Sequence, residues 1–154
     1  MKRVLIANRG EIALRIVRAC HEEGLEAVAV YSAADRSSPH VRAADRAVAI
    51  GPAAPSQSYL DIARLVDAAV SSGADAVHPG YGFLAERAAF AEAVERAGLV
   101  WVGPPAHAIR AMGDKTEARR RMQAAGVPIV PGASAPVDDL GPALGLAREV
   151  GYPV

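Results

Sequence analysis

The chain is expected to fold as an α/β domain built on a parallel sheet, and three observations lead there. First, short apolar runs rich in β-branched residues alternate with stretches of helical periodicity. Second, the helical stretches end at glycines. Third, 51% of the 154 residues are hydrophobic but only 5% are aromatic. Ala, Val, Ile and Leu must therefore fill the core, which suits helices laid closely on both faces of parallel strands.

The expected strands are "RVLIA" (3–7), "EAVAVY" (26–31), "RAVAI" (46–50), "ADAVH" (74–78) and "LVWVG" (99–103). Between them, "EIALRIVRACHEEG" sets Ile12, Ile16, Ala19 and Cys20 on one face and stops at Gly24. "SYLDIARLVDAAVSSG" and "FAEAVERAG" stop in the same way at Gly73 and Gly98. This β-α-β-α order calls for right-handed crossovers. After Gly103 the chain reads as two short helices, the proline-bracketed "VPIVPG", and a glycine-interrupted helix in "VDDLGPALGLAREVG". It then reaches "GYPV", where the pattern calls for a strand to begin. A fragment of a longer protein is the expectation.

Seventeen basic and seventeen acidic residues balance, which argues against nucleic-acid or membrane-surface partners. A single cysteine, Cys20, excludes an internal disulfide framework and fits a reducing cytoplasm. The start "MKRVLIANRG" is too short in apolar residues for a signal peptide. No Cys/His/carboxylate cluster has metal-ligand spacing, and His21 and His107 are assigned no role.

In an open α/β sheet, ligands gather at the carboxyl ends of the strands. The first such turn is "ANRGEI" (7–12), where Gly10 stands alone and the dinucleotide fingerprint is absent. Glu11 falls at the helix start, so the turn is expected to cap itself with that carboxylate. "DRSSPHVRAAD" (35–45) reads as a solvated loop carrying Arg36, His40 and Arg42. In "GPAAPSQSYLDI", Ser58 is the expected N-cap, with Asp61 three residues on. Met112 and Met122 are expected to fill core. In "MGDKTEARRRM", Asp114 caps a helix whose first turn carries Lys115. A lysine there opposes the helix dipole at a cost of a few tenths of a kcal/mol unless an anion offsets it. That leaves an anionic ligand and a plain surface lysine in equal balance. "HPGYG" (78–82) places His78 at a strand's carboxyl end, with Tyr81 between two glycines. A site wall and a structural turn with Tyr81 packed inward are both open on these grounds.

Taken in order and spacing, "IANRGEIALRI", "VYSAADRSSPHVRAADRAVAIGPA", "SQSYLDI", "HPGYGFLAE", "VGPPAHAIRAMGDK" and "AGVPIVPG" resemble the N-terminal part of biotin carboxylases, the ATP-dependent components of biotin-dependent carboxylases. The resemblance runs from Arg3 to Val154. It implies a Rossmann-like pre-ATP-grasp domain over 1–103. Linking helices and the truncated beginning of an ATP-grasp domain would follow over 104–154. It also implies that Lys115 contacts ATP, and that Tyr81 and Gly82 form a wall of the biotin site. The implied cofactors are ATP, Mg²⁺ and carrier-bound biotin; the implied partners are a biotin carboxyl carrier domain and a carboxyltransferase. Such enzymes are commonly homodimers, and the exposed face Arg15, Arg18 and Glu22 is the expected contact. Ala85, Arg87 and Arg46 stand where the family usually has Ser, Asn and Glu. The family's second ATP lysine, glycine-rich phosphate loop, metal-binding glutamates and catalytic arginine are not in this chain, so the fragment alone is expected to be inactive, with no catalytic residue and no metal ligand of its own. A non-catalytic α/β binding or assembly module is the alternative; an NAD-dependent domain is disfavoured by the missing glycines.

Overall fold

A computed structural model of the chain describes residues 1–130, 137 and 139–152. The chain divides into two compact units, Met1–Ile109 and Arg110–Val154.

The first unit is built on five strands: β1 (Arg3–Ile6), β2 (Glu26–Ser32), β3 (Arg46–Gly51), β4 (Ala76–His78) and β5 (Val100–Trp101). They pair in the order β3-β2-β1-β4-β5 with every pairing parallel. All five expected runs are therefore strands. The chain leaves β1 toward one edge through β2 and β3, then returns to place β4 on the other side of β1. The reversal falls between β1 and β4, and it decides where a ligand would sit. There the ladder runs one residue beyond the strands, with the Ala7 amide donating to the His78 carbonyl at 2.9 Å.

Alternation along β1 splits its side chains between two cores. Val4 and Ile6 face Ala13, Ile16, Val17 and Cys20 of α1 (Gly10–Glu22). Leu5 and Ala7 face the core shared by α3 (Ile62–Ser72) and α4 (Ala88–Arg96), where Leu65, Phe90 and Val94 are fully buried. Phe90 and Trp101 meet edge to face at 5.4 Å. Each buried side chain of Leu or Phe size contributes about 1.5–3 kcal/mol relative to exposure, so these two layers hold the helices against both faces of the sheet.

Several local expectations need correction. The buried face of α1 is Ala13, Ile16, Val17 and Cys20, whereas Ala19 is exposed and Ile12 only half-buried. The N-cap of α3 is Asp61, which accepts from the Arg64 amide at 3.1 Å, while the Ser58 hydroxyl instead donates to the Ala54 carbonyl. The stretch 35–45, read as a solvated loop, begins on the last residue of a 3-10 turn (Ala33–Asp35) and contains a short α2 (Pro39–Ala43). His40 in α2 is fully buried. Arg46, where the family usually has Glu, joins Arg3 in gripping the Glu26 carboxylate.

The helix α5 (Ala106–Gly113) runs across the division between Ile109 and Arg110. α6 (Lys115–Ala124) and α7 (Leu140–Val150) follow. Neither α6 nor α7 has a buried residue, and Met112 is exposed rather than core-filling. Residues 127–130 form no regular element, and the rest of "VPIVPG" lies outside the described residues, as does the end of "GYPV". Among the described residues no helix is long and apolar enough to cross a membrane.

Candidate functional site

Two turns meet where the strand order reverses: the β1–α1 turn (Ala7–Gly10) and the loop after β4 (Pro79–Gly82). Between them lies a cleft of about 490 Å³ lined by Asn8 to Ile12 on one side and Tyr81 to Phe83 on the other.

Asn8 joins the two walls. It is buried, and its side-chain amide donates to the carbonyls of Pro79 (2.8 Å) and Tyr81 (2.9 Å), while its Oδ1 accepts from the Arg9 amide (2.9 Å). The approach is close enough to demand glycine: a Cβ on Gly80, whose φ is +68°, would sit 2.8 Å from the Asn8 amide nitrogen. Gly82 has φ +64° and ψ −165°, a region open essentially to glycine alone. Phe83 follows at φ +46°, an uncommon conformation for a bulky residue. The His78 Nδ1 accepts from the Gly80 amide at 3.0 Å, and burial holds its pKa below the ordinary imidazole value. His78 is therefore a neutral brace for the loop.

Tyr81 is 61% exposed, so the inward-packed alternative is not what the chain adopts. Its hydroxyl donates to the Glu11 carboxylate across the cleft. That bond raises the Tyr81 pKa, desolvation adds to it, and the Arg15 guanidinium acts in the opposite direction. The expected self-capping by Glu11 does not occur: the N-cap of α1 is Arg9, with no side-chain cap bond. Glu11 is instead engaged by a residue seventy positions away.

Behind the cleft, the Arg9 guanidinium lies 5.4 Å from the ring centroids of both Tyr59 and Phe83, which stack on each other at 5.5 Å. Arg9 also pairs with Asp35 at 3.5 Å. Asp35 accepts from the hydroxyls of Tyr59 and Ser32, each at 2.8 Å. Burial pushes the Asp35 carboxyl up, but those two hydroxyls and Arg9 outweigh it and hold its pKa below the ordinary value. The Tyr59 phenol is pushed up to about 12, chiefly by burial. Asn8, Arg9, Asp35 and Tyr59 were not singled out by sequence reasoning. Only the paired glycines of "HPGYG" signalled that another group must come close.

In the second unit, Asp114 caps α6 as expected, accepting from the amides of Thr116 (2.9 Å) and Glu117 (3.0 Å). Lys115 is exposed at the first helical position and makes no ion pair among the described residues. Glu117 is taken by Arg120 and Arg121. Arg15, Arg18 and Glu22 are all exposed on α1, and Arg18 does not pair with Glu22. No group of three or more His, Cys, Asp or Glu residues able to hold a metal exists among the described residues.

A parallel open sheet with a glycine-shaped cleft at its strand reversal defines an α/β domain with a candidate ligand site that lacks the dinucleotide fingerprint. The model for the biotin carboxylase N-terminal domain matches residues 1–109, and that for the ATP-binding domain of the carbamoyl-phosphate synthase L chain matches 114–154. The chain belongs to the biotin carboxylase N-terminal domain family. It is 58% identical to a biotin carboxylase of Pseudomonas aeruginosa and 54% identical to biotin carboxylase 1 of Bacillus subtilis, with all of this chain covered and 34% of each relative. It also matches the biotin carboxylase domain of Hydrogenobacter thermophilus 2-oxoglutarate carboxylase, a dimer in complex with MgADP, ADP and bicarbonate. That match has a TM-score of 0.89 at 47% identity, over 99% of this chain and 33% of that one. The chain thus spans about a third of the length of the relatives it matches.

Proposed function

We propose that this chain supplies the N-terminal part of a biotin carboxylase, with residues 1–103 as the pre-ATP-grasp domain and 104–154 as linking helices and the beginning of the ATP-grasp domain. The enzyme spends MgATP to activate bicarbonate and carboxylates biotin carried on a partner domain. A carboxyltransferase component then receives the carboxyl group. The observation that carries the reading is the cleft at the β1–β4 reversal, whose two walls are tied by Asn8 and whose open side presents Tyr81 and Gly82.

Each wall residue has a defined task in this reading. Tyr81 offers an exposed aromatic face to the bicyclic ring of biotin. Gly82 lets that ring approach the backbone, since nothing stands within 4 Å of where a Cβ would be. Lys115 gives the nucleotide phosphates a cation that no carboxylate of the described residues competes for. A bound polyphosphate also supplies the negative charge that a helix start favours over a lysine. Mg²⁺ would supply charge neutralisation at the phosphoryl group; in this reading its ligands lie in the two thirds of the enzyme outside this chain. As a third of the length of its relatives, the 154-residue chain alone is expected to release no ADP. The face Arg15, Arg18 and Glu22 contributes to a homodimer contact.

The test is a chimera in which these residues replace the matching third of the Pseudomonas aeruginosa enzyme. Lys115→Ala raises the KM for ATP about tenfold or more, as loss of a charge-assisted contact requires, while Tyr81→Ala raises the KM for free biotin. The opposite assignment, or no change in either constant, would refute both roles.

A further inference from the structure

We propose that Glu11 is a positioning residue of the cleft: its carboxylate holds the Tyr81 hydroxyl across the opening and so fixes the ring face offered to a bicyclic ligand. This rests on the reading of the cleft as the biotin-ring wall.

The backbone of the Tyr81 loop is already held, because Asn8 donates to the carbonyls of Pro79 and Tyr81 while Gly80 and Gly82 supply the positive φ angles that bring them there. The ring is not fixed by these bonds. At 61% exposure packing alone leaves it free to change rotamer on the ps–ns scale common to exposed side chains. The Glu11 carboxylate removes that freedom from the far side of the cleft. Both anchors thus come from where β1 passes into α1: Asn8 in the turn for the loop's backbone, and Glu11, three residues later in the first turn of α1, for its side-chain tip. Because α1 has no side-chain cap, Glu11 is the one first-turn carboxylate available to the helix, and it is turned to Tyr81 instead.

Two consequences follow for a ligand. Its ring meets an aromatic face already ordered, which lowers the ordering cost of binding. The phenolic proton is committed to Glu11, so the Tyr81 oxygen faces the ligand as a hydrogen-bond acceptor and not as a donor. An acceptor suits the N–H groups of a cyclic urea better than its carbonyl. The charged neighbour to be counted beside this pair is Arg15, which favours the phenolate that Glu11 disfavours.

The direct test uses the 154-residue chain labelled with ¹³Cζ-tyrosine and titrated by NMR, the Tyr81 signal being the one missing in Tyr81→Phe. In the wild type that signal titrates above an ordinary phenol. In Glu11→Gln, which keeps an acceptor but loses the charge, its midpoint falls. An unchanged midpoint overturns the tie. The chimera then separates the positioning role from the cleft reading. Glu11→Ala raises the KM for free biotin by roughly threefold to tenfold, as loss of one hydrogen bond's worth of preorganisation does, and the KM for ATP stays where it was. Glu11→Gln recovers most of that loss. If Tyr81→Ala raises the KM for biotin and Glu11→Ala does not, the cleft reading stands and the positioning role is refuted. If Tyr81→Ala itself leaves that KM unchanged, the cleft reading has failed.

Discussion

Replacing Asn8 by alanine should unfold the chain at markedly lower denaturant, because one buried amide serves three backbone groups. It donates to the Pro79 and Tyr81 carbonyls and accepts from the Arg9 amide, all at 2.8–2.9 Å. Each neutral bond contributes about 0.5–1.5 kcal/mol, and a buried group left without a partner costs about 1–3 kcal/mol. The Pro79 bond is buried, whereas the Tyr81 and Arg9 bonds are only partly so, and water can replace the last two. The loss should therefore be about 2–4 kcal/mol, or a fall in Tm on the order of 10 °C at roughly 4 °C per kcal/mol for a chain of this length. Urea unfolding of the 154-residue chain, followed by Trp101 fluorescence, measures it. Asn8→Asp should cost at least as much despite its matched size, because it sets a carboxylate against two carbonyl oxygens. Gly80→Ala should fail similarly, since its Cβ would stand 2.8 Å from the Asn8 nitrogen. If Asn8→Ala loses under about 1 kcal/mol, less than a single unpaired buried group costs, the tie between the walls is not what shapes the cleft.

Three further outcomes follow from the geometry. Gly82→Ala has room for its Cβ but not for its backbone angles, so it should destabilise by about 1–3 kcal/mol; urea unfolding checks this, and an unchanged midpoint would contradict the loop conformation. Burial holds the His40 pKa below its ordinary value against the Val30 carbonyl and Asp35, with Arg9 adding to the effect, so the unfolded chain binds the proton first. Stability is then complete above about pH 6.5 and falls as the pH drops below it; stability flat between about pH 6.5 and 5, the window just below an ordinary imidazole, would contradict a buried neutral His40. Arg18→Glu in the chimera should shift it from dimer to monomer in sedimentation, and unaltered self-association would remove Arg15, Arg18 and Glu22 from the contact.

The sheet was legible because fully covered strands must be apolar along their length, and the five runs stand out from the helices between them. The helix ends were legible from Gly24, Gly73 and Gly98. The buried face of α1 was less so: alanines at 13 and 19 suit either side, and only the strands beneath decide between them. His40 was hidden because its polar neighbours read as a loop, while its burial comes from β2, ten residues earlier. Most of the cleft was hidden for a related reason. Asn8, Arg9 and Glu11 look like an ordinary strand–helix turn, and their partners lie 26 to 73 residues away. Glycines and Tyr81 signalled the place; the groups that fill it became visible only once β1 and β4 were paired.

The account rests on these residues forming one wall of a biotin carboxylase, and bicarbonate- and biotin-dependent ADP release tests that most directly. The isolated 154-residue chain should show none. The chimera with the remaining two thirds of the Pseudomonas aeruginosa enzyme should turn over at a rate of the same order as that enzyme, and should lose this when Lys115→Ala and Tyr81→Ala are combined. A folded chimera that releases no ADP, or one whose turnover survives both substitutions, would contradict the account.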